Sequence, residues 1–390
     1  MIRSTDLRMR SQLAAHALWD QLVRPSATLA SDVPWCAEAI TPDWITAALA
    51  QGRSAQVERI TITGGDSGSS VRRAISIDWN DAGKAAGLTT RLFAKTTPTL
   101  ATRLSAGMVA LTEGRFLTQV RPRLSIEAPV CLHTARDRLS GRSIHLFEDL
   151  TVTQGAKFFR IHDEINRQQA EGIVDTLADL HGTFWAPAEG RPTMADVAWL
   201  NTFEDFFNGG VHIGIEAFHE LAMTRAAAVI PSAVMARRAE VWPATVRAAA
   251  ASQTGTVTVI HSDVHLGNWY VTNDDRIGLS DWARVCRGHG TRDVAYSLMT
   301  TLTVENRRAW QDALLQRYRE RLRTGFGIGM GMDELMRGYR QQAFSALMMW
   351  TPTLCPPPLL PEMQSEATSM EMIKRITTAI DDMHSLDSFN

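Results

Sequence analysis

The stretch that most constrains the fold is residues 257–293, where an apolar run gives way abruptly to polar side chains. Residues 257–260 read VTVI, a β-branched run typical of a buried strand, and a loop rich in His, Asp and Asn follows. Turn-forming residues 272–275 precede a second short apolar run, residues 277–280, which delivers Asp281. The pattern predicts a strand, a loop, a hairpin and an acidic residue, in that order.

The polar residues of this stretch have the types and order that phosphoryl transfer requires. Asp263 is followed five residues later by Asn268, and the hairpin then presents Asp281. The first Asp can orient and deprotonate an attacking hydroxyl, while the Asn and the second Asp offer oxygen ligands to Mg²⁺ on ATP phosphates. Two alternatives stay open here. His261, Asp263 and His265 also suit a di-metal hydrolase cluster, and Asp and Asn commonly cap turns.

Length and composition narrow the class of protein. The 390 residues allow two or three domains, and 45% hydrophobic and 21% charged residues are ordinary for a soluble globular enzyme. The 40 basic and 42 acidic residues give a net charge of -2, so we expect neither a nucleic-acid nor a membrane-surface partner. The four cysteines are far apart, which disfavours a zinc site and a disulfide framework. With no visible signal peptide, a cytoplasmic protein is expected.

The N-terminal part of the chain predicts a small sheet. Residues 57–62 and 73–79 alternate apolar and polar side chains, and a Gly/Ser-rich loop, residues 64–70, joins them. Such a loop can bring backbone N–H groups close to phosphates, although a plain flexible turn explains its composition at least as well. The candidate nucleotide-binding residues of this loop are Gly65, Ser67, Gly68 and Ser69.

Lys95 ends the next predicted strand, residues 89–94. Most lysines at strand ends are solvated edge residues. This one follows an apolar run and lies two strands after the glycine loop, where a partner of the ATP α- and β-phosphates is expected. A helix predicted over residues 101–120 puts Glu113 beside an apolar face, as is typical of the carboxylate that pairs with such a lysine.

The sequence predicts an α+β fold of two lobes. Two more strands, residues 128–134 and 143–150, complete the small sheet, and the second ends in the predicted linker, whose backbone would read the adenine edge. Beyond it the pattern is mainly helical. We therefore expect a nucleotide-binding lobe with an N-terminal helical extension over residues 1–147 and a catalytic, acceptor-binding lobe over residues 151–390. The linker, or hinge, is residues 148–150: Glu148, Asp149 and Leu150.

Taken together, these motifs resemble the aminoglycoside phosphotransferase and choline kinase-like superfamily, the small-molecule branch of the protein-kinase-like fold. Within it, the chain is most similar to the ecdysteroid kinase-like branch. Their order and spacing over roughly residues 40–350 make the resemblance more specific than any single motif. The sequences that carry it are LFAK at 92–95, Glu113, FEDL at 147–150, LADLH at 177–181, HSDVHLGN at 261–268, SDW at 280–282 and RDVAY at 292–296.

The resemblance implies an ATP-dependent phosphotransferase with an alcohol acceptor. Asp263 would be its catalytic base, and Asn268 and Asp281 would be the Mg²⁺ ligands. Lys95 would contact the nucleotide phosphates, with Glu113 as its ion-pair partner. ATP and Mg²⁺ are therefore the implied cofactors.

The same resemblance assigns His261 and Asp293 to holding the catalytic loop in place. Two departures occur in this loop and after it: Ser262 stands where the commonest form of the family has Gly, and residues 282–283 read Trp-Ala where protein kinases have Phe-Gly. No activation segment of protein-kinase length lies between Asp281 and Asp293. A small molecule is accordingly the expected acceptor rather than a protein.

The acceptor pocket is expected in the helical lobe. Its aromatic and thioether residues favour an apolar or antibiotic-like alcohol, and a polycationic acceptor is possible but not favoured. A non-catalytic ATP-binding scaffold and a metal-dependent phosphoesterase stay as alternative functions, and the protein is expected to be a monomer or homodimer. The candidate pocket residues are Trp199, Phe206, Phe207, Trp310, Met348, Met349 and Trp350.

Overall fold

The computed structural model of the chain describes residues 4–65, 70–186, 188–357 and 363–389. The chain divides into two compact units, the first rich in β-strands and the second mainly helical, which confirms the predicted α+β fold class. The hinge and the lobe boundaries derived from the sequence stay predictions. The first unit comprises Met1–Pro122, Pro129–Ala156 and Leu359–Met363, and the second comprises Arg123–Ala128, Lys157–Pro358 and Gln364–Asn390.

The first unit is built on a five-stranded antiparallel sheet with the strand order β1-β2-β3-β5-β4. Its strands are β1 (Val57–Thr63), β2 (Val71–Trp79), β3 (Arg91–Thr96), β4 (Cys131–Arg136) and β5 (Ser143–Glu148). Its helices are α1 (Ser4–Val23), α2 (Pro42–Leu49), α3 (Asp81–Ala85), α4 (Leu100–Gln119) and α5 (Leu150–Thr153). Four of the five strands lie within two residues of their predicted bounds, and the fifth, β4, begins three residues later than predicted.

One face of this sheet packs against α2. Thr41 caps the helix by accepting the Trp44 N–H at 3.2 Å, and Pro occupies the first helical position. Trp44 and Trp79 are fully buried in the resulting core. Residues 80–87 contain α3, which begins where the side chain of Asn80 accepts the Gly83 N–H.

The second unit is mainly helical and has two small sheets, a β7–β10 pair and a β6-β8-β9 sheet. Its strands are β6 (Lys157–Phe158), β7 (Val257–Ile260), β8 (Trp269–Val271), β9 (Ile277–Leu279) and β10 (Cys286–His289). Its helices are α6 (Arg167–Trp185), α7 (Phe203–His212), α8 (Ile215–Arg225), α9 (Ser232–Ala236), α10 (Arg238–Ala251), α11 (Thr291–Thr301), α12 (Val304–Phe326), α13 (Met332–Leu354) and α14 (Glu366–Asp382).

The two small sheets place the polar loop of residues 261–268. Ile260, the last residue of β7, pairs with Cys286, the first residue of β10, so the loop and the residues before β10 leave the ladder at the same end. The strands after the loop, β8 and β9, form the predicted antiparallel hairpin, in which Trp269 pairs with Leu279. The loop and the end of the hairpin therefore converge beside the β7–β10 pair.

The four cysteines are free thiols. Burial raises the pKa of both Cys131 and Cys286 to about 12, so these two thiols stay protonated at neutral pH. Among the helices of the described residues, none combines the length and the apolar character needed to cross a membrane.

Candidate active site

Lys95 and Glu113 form an ion pair in the first unit. The lysine Nζ lies 2.9 Å from each carboxylate oxygen of the glutamate, which joins β3 to α4. The two side chains are only 11% and 3% exposed. His145 lies behind the pair, with its Nε2 3.8 Å from Glu113 Oε2 and its Nδ1 bonded to the Thr134 hydroxyl. The structure thus brings together the two residues that the sequence analysis paired.

The glycine loop is described only in part. Ser67, Gly68 and Ser69 lie outside the described residues. Gly65 has φ +117°, and a Cβ there would lie 2.0 Å from the backbone oxygen of Arg72, so only glycine fits. A part for this loop in nucleotide binding stays a prediction.

The predicted hinge residues lie at the end of β5. The N–H groups of Glu148 and Asp149 donate within the first unit, to the carbonyl oxygens of Val130 and Arg91. Asp149 also caps α5 by accepting the Thr151 N–H at 3.1 Å. Leu150 is buried. A hydrogen bond between this segment and an adenine ring would therefore need backbone groups other than those two N–H groups. The hinge assignment stays a prediction.

In the second unit, the buried carboxylate of Asp293 anchors the polar loop. It lies in the first turn of α11 and accepts the backbone N–H groups of His261, at 2.6 Å, and Ser262, at 3.0 Å. Burial alone would raise the pKa of Asp293, but the neighbouring His181 and Arg292 outweigh it, and the pKa lies below its usual value. The loop is therefore held to the helix by an ionised carboxylate that solvent does not reach.

His261 ties the loop to the hairpin. Its Nε2 lies 2.9 Å from the carbonyl oxygen of Ser280, its Nδ1 accepts the Asp263 N–H at 3.3 Å, and its ring meets the Trp282 ring edge-on at 4.7 Å. These contacts assign the proton of the neutral ring to Nε2. Burial lowers the pKa of His261, so the ring stays neutral. Both ring nitrogens of His261 are therefore occupied by hydrogen bonds within the loop and to the hairpin.

One hydrogen-bonded assembly contains the residues Asp263, Asn268 and Asp281. The Asn268 Nδ2 donates to the backbone oxygen of Asp263 at 2.7 Å, which fixes the loop between them. The N–H and hydroxyl of Ser280 both donate to the backbone oxygen of Asn268, at 2.8 and 2.9 Å. Asp281 follows directly. The structure therefore brings the predicted base and the two predicted metal ligands together in the second unit.

The donor set fits a magnesium ion that is held jointly with a nucleotide. Because Asn268 Nδ2 is used inside the loop, the amide oxygen is the atom left for a ligand. Mg²⁺ is commonly bound by one or two carboxylates together with substrate phosphates, so Asp281 and the Asn268 oxygen suffice. No group of three or more His, Cys, Asp or Glu side chains suited to a metal occurs in the described part of the chain.

Two residues of the assembly adopt a backbone conformation that L-residues rarely take. Ser262 has φ +72° and Asp281 has φ +61°. Such a conformation costs about 1 kcal/mol or more and persists only where the surroundings enforce it. For Ser262, those surroundings are Asp293, which accepts its N–H, and Arg292, whose Nη1 donates to its carbonyl oxygen at 2.9 Å.

Sequence reasoning gave no role to Tyr296, whose hydroxyl donates to Asp263 Oδ1 at 3.2 Å. A signal was present: Tyr296 lies three residues after Asp293 on α11, and residues at that spacing share a face of a helix. The helix that anchors the loop backbone therefore also contacts the loop carboxylate.

The residues proposed for the acceptor pocket differ in exposure. Phe207, Met348 and Trp350 are buried, while Phe206 and Met349 are half-buried beside them. Trp350 meets the ring of His265 edge-on at 5.8 Å. Trp199 and Trp310 are also half-buried.

Comparison with known proteins gives a family and several distant structures. The family model described as "Phosphotransferase enzyme family" matches residues 77–327, more than half of the chain. No curated protein matches the sequence.

Three of the similar solved structures are kinases of small molecules by their names. A macrolide 2'-phosphotransferase from Brachybacterium faecium is 15% identical, with a TM-score of 0.47 over 85% of this chain and 96% of that one. A choline kinase from Streptococcus pneumoniae is 12% identical, with a TM-score of 0.46 over 84% and 94%. An ethanolamine kinase from Plasmodium vivax is 13% identical, with a TM-score of 0.45 over 82% and 81%.

Proposed function

Because the chain belongs to the phosphotransferase enzyme family, we propose that it is a small-molecule kinase that transfers the γ-phosphate of ATP to a hydroxyl group. The observation that carries the proposal is the bonded assembly of Asp263, Asn268 and Asp281. It presents a carboxylate, an amide oxygen and a second carboxylate from one loop and one hairpin, which is the set of groups that phosphoryl transfer to an alcohol requires.

In the proposed reaction, Asp263 orients the acceptor hydroxyl in line with the γ-phosphorus and accepts its proton. Asn268 and Asp281 would hold Mg²⁺, and the ion would supply positive charge to the phosphate oxygens. His261 and Asp293 keep the loop in its conformation through the bonds described above.

Nucleotide binding falls to residues of the first unit. Lys95 contacts the α- and β-phosphates, and the bidentate contact with Glu113 aims its ammonium group. The glycine loop and the hinge residues 148–150 complete the ATP site. The acceptor is a small alcohol with an apolar or antibiotic-like body. Placement in the ecdysteroid kinase-like branch remains a prediction.

The decisive experiment is a turnover assay with purified protein. Mg²⁺·ATP is incubated with a panel of hydroxylated metabolites and antibiotics, and phosphorylated products are detected by mass spectrometry. Asp263→Asn, which keeps the size of the side chain but removes its basicity, is the matched control, and we expect it to reduce product formation by about 10³-fold or more.

Two outcomes would point to the alternative functions. Tight binding of Mg²⁺·ADP by calorimetry without turnover of any acceptor would indicate a non-catalytic nucleotide-binding scaffold. Release of phosphate from phosphomonoesters in the absence of ATP would indicate a phosphoesterase.

A further inference from the structure

The two carboxylate oxygens of Asp263 have different surroundings. Oδ1 accepts the hydroxyl of Tyr296 at 3.2 Å and lies 3.9 Å from His265 Nε2, which is beyond hydrogen-bonding distance. No side chain or backbone group of the described residues donates a hydrogen bond to Oδ2. Since the side chain of Asp263 is 23% exposed, a solvent-borne molecule can reach it.

Tyr296 is a rigid and permanently protonated donor. Its side chain is 1% exposed and lies on α11, the helix whose Asp293 holds the loop backbone. Burial, followed by the charge of Asp263, raises its pKa well above the usual value of a tyrosine. The phenol therefore keeps its proton and donates it to Oδ1 throughout the physiological pH range.

His265 is oriented on the same side of the carboxylate. Its Nδ1 accepts the Gly267 N–H at 3.1 Å, so Nε2 is the ring nitrogen that faces Oδ1. Its ring is backed by Trp350. The Tyr296 hydroxyl and the His265 ring thus both lie on the Oδ1 side of the carboxylate, and Tyr296 alone donates a hydrogen bond to it among the described residues.

We propose that Tyr296 is a positioning residue that fixes Oδ1 of Asp263 and so reserves Oδ2 for the acceptor hydroxyl, an inference that rests on the proposed kinase function. A carboxylate held at one oxygen has its other oxygen in a defined direction, whereas the side-chain torsion of an unheld aspartate is broad. In-line transfer depends on that direction, because misaligned reactants lose most of the advantage of being bound together. A hydrogen bond to a charged group is strong enough to change the rate by about 10- to 100-fold.

The test is Tyr296→Phe, which removes only the donor oxygen. Hydrolysis of Mg²⁺·ATP, with water as the acceptor, is measured by phosphate release, and binding of Mg²⁺·ADP is measured by calorimetry. We expect kcat to fall about 10- to 100-fold, while KM for ATP and Kd for Mg²⁺·ADP change less than about twofold. Tyr339→Phe is the matched control, because Tyr339 is equally buried and its hydroxyl has no partner among the described residues. It should leave kcat unchanged.

A double-mutant cycle separates positioning from a general structural effect. In the Asp263→Asn background, Tyr296→Phe should change the residual rate less than about twofold, since Tyr296 acts through the carboxylate. An equal loss in both backgrounds, or an unchanged kcat in Tyr296→Phe, would overturn the inference. If the wild-type protein binds Mg²⁺·ADP but hydrolyses no ATP and phosphorylates no alcohol, the proposed function itself fails and this inference fails with it.

Folding of the variant is checked by its melting temperature. Should Tyr296→Phe not fold, a crystal structure of the wild-type protein decides the question. The proposed roles of the two carboxylate oxygens would be refuted by a distance above about 3.5 Å between the Tyr296 hydroxyl and Asp263 Oδ1. They would also be refuted if the hydroxyl donated to Oδ2 in place of Oδ1.

Discussion

The Lys95–Glu113 pair of the first unit and the polar loop of the second are built in opposite ways. The pair lies on a regular strand and a regular helix, and its two side chains contact each other directly. The loop carries Asp263 on irregular backbone, whose conformation depends on bonds to the distant Asp293. The geometry of the first site therefore depends on which side chains occupy two positions. The geometry of the loop depends instead on hydrogen bonds between its backbone and residues outside the loop.

The two regions should therefore respond differently to substitution. Substitution in the Lys95–Glu113 pair should change charge and binding while the surrounding sheet and helix persist. Substitution around the loop should also damage activity through Asp293 and Arg292, which hold backbone atoms of the loop.

Asp281→Ala should abolish turnover, with a loss of about 10³-fold or more, equivalent to about 4 kcal/mol of transition-state stabilisation. The reason is the removal of the only carboxylate among the two proposed metal ligands. The measurement is kcat over a range of Mg²⁺ concentrations, together with calorimetric titration of ADP with and without the ion. Phosphotransfer retained at a near wild-type rate would contradict the assignment of Asp281.

Asp293→Ala should destabilise the fold by about 3–5 kcal/mol, because it leaves Arg292 and two backbone N–H groups buried without their anionic partner. Urea unfolding at neutral pH measures the loss. A destabilisation below about 1 kcal/mol would show that the loop holds its conformation without the helix, and the contrast drawn above would disappear.

The same residue predicts a pH dependence of stability. Because the pKa of Asp293 is lower in the folded protein than its usual value, the charged form stabilises the fold above the ordinary carboxyl pKa. That contribution is lost as the pH falls through the folded pKa. The free energy of unfolding should therefore decrease less on acidification in Asp293→Asn than in the wild-type protein, when both are measured by urea unfolding from neutral to acidic pH.

Glu113→Gln should lower kcat/KM for ATP by about 10- to 30-fold while the protein stays folded. The substitution keeps the shape of the side chain but removes the charge that holds the Lys95 ammonium group. Asp81→Asn is a suitable control, since it removes the acid from an exposed lysine pair, Lys84 with Asp81 at 3.7 Å. Equal kinetics in the two variants would mean that the buried pair has no part in nucleotide binding.

The Lys95–Glu113 contact could be predicted from the sequence because its determinants are local. Alternating apolar residues specify β3, apolar residues on both sides of Glu113 indicate α4, and the two charged residues lie at defined positions on these elements. The conformation of the polar loop could not be predicted in the same way. Its polar residues were visible in the sequence, and the family resemblance implied roles for His261 and Asp293, but the bonds that fix the backbone come from residues about 30 positions later.

β10 and the contact of Tyr296 with Asp263 could not be predicted from the sequence. β10 has four residues, one of them Gly288, and its strand conformation depends on pairing with β7 rather than on its own pattern. Tyr296 looks like an ordinary apolar position of α11, and only the packing of that helix against the loop turns its hydroxyl towards Asp263. In both cases the determinant is tertiary contact, which periodicity does not encode.

The smallest expected effect is at Ser262, where the commonest form of the family that the chain resembles has glycine. Ser262 has φ +72°, and glycine adopts this conformation without the steric cost that a Cβ imposes. Ser262→Gly should therefore stabilise the protein by about 0.5–1 kcal/mol and leave turnover close to that of the wild type. The measurement is the midpoint of urea unfolding at an unchanged m-value.

Asp275→Gly is the matched control, since Asp275 has φ +61° in the turn between β8 and β9, away from the assembly of Asp263, Asn268 and Asp281. Similar gains in both variants would show that backbone strain alone distinguishes Ser262 from glycine. A gain for Asp275→Gly together with a loss for Ser262→Gly would show that the serine side chain itself supports the loop. In that event the second unit would share with the Lys95–Glu113 pair a dependence on side-chain contacts, and the contrast between the two regions would be one of degree.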